Sequence, residues 1–97
     1  MSKYVLKLYV TGQTSRSQHA VTSLRRICEG ALQGQCEVII VDVLERPQLA
    51  EDEKILATPT LVKESPAPVR RIIGDLSDTE KVLMALNIQP ELKAERR

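Results

Sequence analysis

Few side chains in this 97-residue sequence could do covalent chemistry: two cysteines, Cys28 and Cys36, one histidine, His19, and the serines Ser15 and Ser17. Thiol–disulfide catalysis places its cysteine at a helix N-terminus, where the helix dipole lowers the thiol pKa. The helix that "GQTSRS" introduces starts instead with Gln13, Thr14, Ser15, Arg16 and Ser17. Cys28 falls deep in that helix on its apolar face and reads as a small core residue, while Cys36 opens the next strand. Position therefore excludes redox catalysis, although a Cys28–Cys36 bridge remains conceivable. Ser15 or Ser17 could imitate the hydroxyl of a one-serine glutathione transferase. Capping explains both with less assumed, and 97 residues leave no room for that enzyme's second, helical domain. His19 lacks the Asp or Cys companions of a triad or metal site and reads as a surface residue.

The remaining charged residues point to contact rather than catalysis. Glu51, Asp52 and Glu53 form a solvated helix face, and "GQTSRS" lacks the Gly-x-x-x-x-Gly-Lys spacing of a phosphate loop. No cofactor and no metal is expected. Lys54, with Arg70 and Arg71 next to Lys63, suggests a cationic patch suited to a protein partner; the simpler reading of the arginines is an edge strand protected by charge.

The elements that must position these residues follow from periodicity. Residues 3–11, KYVLKLYVT, read as a strand with both faces largely covered. Ser15 and Gln18 have capping-box spacing, and Ala20, Val21, Leu24, Ile27, Cys28, Ala31 and Leu32 recur on one helical face up to Gly34. Residues 36–44 form a second strand, whose uninterrupted VIIV suits a central parallel position. Strand, helix and strand make a right-handed βαβ unit and an open α/β sheet. "RPQLAEDEK" gives a short polar helix with Pro47 near its first turn. "TLVKE" and "VRRII" read as two strands, held apart by the prolines of "SPAP". Ser77 and Glu80 repeat the capping-box spacing before a last helix that Pro90 closes. In "VLMALNI", Val82, Leu83 and Leu86 fit a helix face, yet Val82, Met84, Leu86 and Ile88 alternate as in a strand. The order β-α-β-α-β-β-α, with a proline heading the third strand, is a thioredoxin-like architecture in one domain, residues 1–90. The tail at 91–97 is charged and expected to be disordered.

Composition agrees with a small soluble domain: 42% hydrophobic, 28% charged and a formal charge of +1. With no Trp or Phe the core must be aliphatic. Two tyrosines, Tyr4 and Tyr9, and a near-neutral charge make a poor nucleic-acid binder. No run approaches a membrane span, and the start lacks a secretory signal, so a cytoplasmic protein is expected. Two cysteines argue against a disulfide-built secreted domain.

The run "DVLERPQLAEDEKILATPTLVKESPAPVRRIIGDLSDTEKVL", residues 42–83, with "LKLYVTGQT" at 6–14, closely resembles the KaiB family of bacterial clock proteins. The blocks "ILATPT" and "VRRIIGDLS" are highly specific to it. The resemblance implies a non-enzymatic regulator that binds the N-terminal ATPase ring of KaiC, then captures KaiA and displaces the sensor kinase SasA. It also implies fold switching. A thioredoxin-like monomer, or weak dimer, exchanges with a tetramer of order β-α-β-β-α-α-β. Lys54, Arg70 and Arg71 match positions at or near the KaiC-facing surface, and Pro59, Pro66 and Pro68 match or adjoin the switch-region prolines. Ala85 and Asn87 stand where members that rest as tetramers carry Gly and Asp, which favours the helical state here. His19, Glu37 and Ile39 replace the family's Arg, Ala and Lys, which counts against KaiA capture. A KaiB-like stress-adaptation or redox-related protein outside a circadian clock is the alternative, and a sensor kinase's KaiB-like input domain is a third reading.

Overall fold

The computed structural model describes residues 3–89. Seven elements follow in order: β1 (Tyr4–Val10), α1 (Ser15–Glu29), β2 (Cys36–Asp42), α2 (Pro47–Asp52), β3 (Thr60–Ser65), β4 (Arg70–Ile73) and α3 (Thr79–Ala85). The sheet order is β2-β1-β3-β4. Strands β1 and β2 run parallel, and β3 and β4 turn back antiparallel. This is the expected thioredoxin-like order. Pro90 and the charged tail lie outside the described residues. Among those described, no helix is long and apolar enough to cross a membrane.

Alternation along β1 builds two cores. Tyr4, Leu6, Leu8 and Val10 point to the side covered by Ala20, Leu24 and Ile27 of α1 and Val82, Leu83 and Leu86 near α3. Tyr9 points to the other side, with Val41 and Val62, beneath Leu49 and Ile55. Tyr4 and Tyr9 are five residues apart, so the strand's period of two puts them on opposite faces, both buried.

Several local expectations shift. β2 lies at a sheet edge, not at the centre, because β3 takes the other side of β1. Its Ile40 is accordingly 40% exposed. An apolar run reports coverage of both faces and carries no information on strand order. Thr14, rather than Ser15, caps α1 by accepting from the Ser17 N–H. Asp78, rather than Ser77, caps α3, because the Ser77 hydroxyl is taken by the Asp75 carboxylate at 2.8 Å. α1 ends at Glu29, about one turn short of the Gly34 expected to end it. Gly30 caps it, and a Cβ there would stand 3.0 Å from the Arg26 carbonyl.

The double period at residues 82–88 resolves as helix. Val82 and Leu83 are buried while Met84 is 81% exposed, the reverse of what strand alternation requires. The helix closes in a Schellman motif: the Asn87 N–H donates to the Met84 carbonyl at 3.1 Å and the Ile88 N–H to Leu83 at 2.8 Å. Asn87 sits at φ 57°, a left-handed position that Asn accepts more readily than most residues.

Candidate partner-binding surface

At the N-terminus of α1, where a thioredoxin enzyme holds its reactive thiol, hydroxyls occupy the space and already satisfy one another. The Ser17 hydroxyl donates to the Thr11 carbonyl at 3.2 Å and accepts from the Thr11 N–H at 3.0 Å. It also accepts from the Thr14 hydroxyl at 2.9 Å. Ser17 is buried, and its one proton and both lone pairs are engaged in holding the turn. The Thr11 hydroxyl bonds that of Thr58, beside the cis Thr58–Pro59 bond. Asp42, unremarked in the sequence, accepts from the N–H groups of Gly12 at 3.0 Å and Leu44 at 2.9 Å. These bonds fasten the turn before α1 to the end of β2. The region is a knot of hydrogen bonds that holds the turn.

Beside it, residues 53–58 form an exposed shoulder. α2 ends in a second Schellman motif, the Lys54 N–H donating to Glu51 at 3.1 Å and the Ile55 N–H to Ala50 at 2.8 Å. Lys54 therefore takes φ 56°, a left-handed conformation that usually selects glycine or asparagine. The Arg71 guanidinium reaches across from β4 and donates to the Glu53 carbonyl at 3.0 Å and the Lys54 carbonyl at 3.3 Å. A cation thus caps the negative end of α2 and fixes the Lys54 turn. Two residues on, Leu56 is 94% exposed. It rims an open groove of about 400 Å³ lined by Val43, Pro47, Ile55, Ala57 and Thr58. Leu44 is also exposed.

The four expected cations do not form one patch. Lys54 and Arg71 meet. Arg70, next in the strand, points to the opposite face of β4, in register with Lys63. Lys63 is not a surface residue at all: it is 1% exposed, with its ammonium 3.5 Å from the Asn87 carbonyl at the end of α3. Burial, and then the neighbouring Arg70 charge, hold the Lys63 pKa below its ordinary value. Beneath α2 the Tyr9 hydroxyl is buried without a hydrogen-bond partner. Burial raises its pKa, as do the carboxylates of Glu53 and Glu64.

The other singled-out residues spread over the fold. Pro59 is buried at the start of β3, whereas Pro66 and Pro68 are exposed between β3 and β4. All three follow cis peptide bonds. Ala85 ends α3 on its exposed side. His19 and Glu37 are exposed, and Ile39 is partly buried against the smaller core. Cys28 and Cys36 are joined in a disulfide, with Cα atoms 6.0 Å apart, so the conceivable bridge is present. It lies at the C-terminal end of α1, away from the position of redox catalysis. Among the described residues no group of His, Cys, Asp and Glu gathers as a metal site.

Sheet order and an α1 start without cysteine define a thioredoxin-like domain that lacks the thiol at that position. Chloroplastic thioredoxin z shares the fold, with a TM-score of 0.73 at 19% identity, covering 89% of this chain and 77% of that one. The N-terminal domain of Synechococcus elongatus SasA gives a TM-score of 0.70 at 26% identity, covering 95% and 90%. The KaiB domain matches residues 7–88. The circadian clock protein KaiB3 of Synechocystis sp. is 56% identical over 91 residues, which span 94% of this chain and 89% of that protein. The circadian clock oscillator protein KaiB of Synechococcus elongatus is 58% identical over 85 residues, or 88% and 83%. The chain belongs to the KaiB family.

Proposed function

We propose that this chain is a non-enzymatic clock or timer regulator that docks on the N-terminal ATPase ring of KaiC. The observation that carries this reading is the Lys54–Leu56 shoulder. The turn fixed by Arg71 presents the Lys54 cation two residues from a leucine 94% exposed, so charge and apolar surface stand together. Arg71 positions the turn through two backbone carbonyls, and Leu56 supplies an apolar anchor at the groove. Arg70, on the other face, contributes less to the same contact. The likeness to the SasA N-terminal domain supports competition between the two for one site, because similar scaffolds present similar faces.

The same reading includes a second conformation. Residues 82–88 carry both helical and strand periods. Pro59, Pro66 and Pro68 border the strands that would be rebuilt, and the resting form is the thioredoxin-like monomer or weak dimer in the cytoplasm. His19, Glu37 and Ile39 weigh against KaiA joining the complex. Pull-down of this chain with KaiC, with and without KaiA, tests the reading: KaiC is retained and KaiA is not. Absence of KaiC from the pull-down refutes it.

A further inference from the structure

The Cys28–Cys36 pair is unused by the partner surface and by the hydroxyl knot. We propose that it is a reversible thiol–disulfide modification site, in which Cys36 reacts first with an oxidant from solution and Cys28 resolves the mixed disulfide. Backbone hydrogen bonds set the spacing independently of the sulfurs. The Gly34 N–H donates to the Cys28 carbonyl at 2.7 Å, and Leu32 donates to Ile27 at 3.1 Å. The N–H groups of Lys3 and Tyr4 both donate to the Gln35 carbonyl, which ties the approach to β2 onto β1. Gln33 and Gly34, at φ 55° and 75°, complete the turn. The Cα atoms are therefore held at 6.0 Å, within the range a disulfide spans, by a turn that needs no covalent bond to form. Both redox states are therefore expected to keep the fold. That distinguishes a switchable pair from a staple on which folding depends.

The two thiols differ in reach. Cys28 is 7% exposed in the last turn of α1, so reagents from solution reach it poorly. Cys36 is partly exposed at the start of an edge strand and outside any helix. The step balances with a low-molecular-weight disulfide such as glutathione disulfide as oxidant. The Cys36 thiolate attacks one of its sulfurs, forming a mixed disulfide and expelling one thiolate. Cys28, losing its proton, then attacks Cys36 Sγ and expels the second. The protein loses two protons and two electrons, and the oxidant is reduced to two thiols. The product bond ties α1 to the edge strand β2 and suppresses fraying at residues 36–38.

The test poises the full chain in mixtures of glutathione and glutathione disulfide and reads it by mass spectrometry and thermal melting. Expected are loss of two hydrogens on oxidation, full recovery on reduction and a folded reduced form. That form melts lower by on the order of 10 °C for so short a loop, with faster amide exchange at residues 36–38. Cys28→Ser should accumulate one glutathionyl group on Cys36, while Cys36→Ser stays largely unmodified. If either variant fails to fold, peptide mapping of reduced wild type under brief alkylation reads the same order, Cys36 before Cys28. The proposal is overturned if both thiols persist in excess glutathione disulfide, if reduction unfolds the domain, or if Cys28 reacts as fast as Cys36.

Discussion

Replacing Ala85 with Gly and Asn87 with Asp should weaken α3 selectively, and its size can be worked from the helix end. Ala85 is the last helical residue and exposed, so Gly there removes no packing and costs about 0.5–1 kcal/mol in backbone entropy. Asn87 holds the left-handed position that closes the Schellman motif. Asp tolerates that conformation too, but adds a negative charge at the negative helix end, for about 0.3–1 kcal/mol. The Lys63 ammonium, 3.5 Å from the Asn87 carbonyl, offsets part of that charge, which places the second effect in the lower half of its range. The pair sums to roughly 1–1.5 kcal/mol, a five- to tenfold rise in opening of α3. Native-state hydrogen exchange at the Leu86 and Ile88 amides reads it directly, since both donate within the helix end. Protection there should fall five- to tenfold while the Leu6 and Leu8 amides of β1 change less. In the fold-switching reading, the same variant also raises the population of a second conformation, seen as a second set of NMR resonances. Unchanged exchange at Leu86 and Ile88 would refute the reasoning.

Other expectations follow from the buried lysine, the missing thiol and the altered edge. The folded-state pKa of Lys63 is lowered, so the unfolded chain binds more protons between that pKa and the ordinary value of about 10.4. Stability should therefore rise with pH through that window, and Lys63→Met should abolish the rise; equal slopes in denaturant titrations would contradict this. Insulin reduction should not be catalysed, since the only disulfide among the described residues lies away from the α1 N-terminus; turnover that stops on Cys28→Ser would overturn this. KaiA should not be retained by the KaiC complex, because His19 and Ile39 supply no fixed cation and Glu37 adds an exposed negative charge; a ternary complex on size exclusion would show otherwise.

Element order was legible in the sequence because each segment carries its own period and its own stop signal. Pro47 heads α2, and Pro66 and Pro68 separate β3 from β4, as their missing N–H groups dictate. Caps were displaced by one residue where two neighbours could each serve: Thr14 beside Ser15, and Asp78 beside Ser77. What local patterns cannot carry is the arrangement between elements. The apolar run of β2 gives no sign that it forms an edge, and Lys63 reads as one of a surface group of cations although its partner in β1 is the buried Leu6. The division of Arg70 from Arg71 followed already from the period of two, but acquired meaning only once β4 was placed beside β3. Leu56, the most exposed large hydrophobic among the described residues, sits in a segment whose apolar character reads as the approach to a strand.

Titration of the KaiC N-terminal ring with this chain and with Lys54→Glu and Arg70→Glu tests the central claim most directly. Lys54→Glu replaces an attraction with a repulsion at the shoulder and should weaken binding at least tenfold, while Arg70→Glu, on the opposite face of β4, changes it much less. Equal losses from the two variants, or an unchanged affinity for Lys54→Glu, would contradict the account.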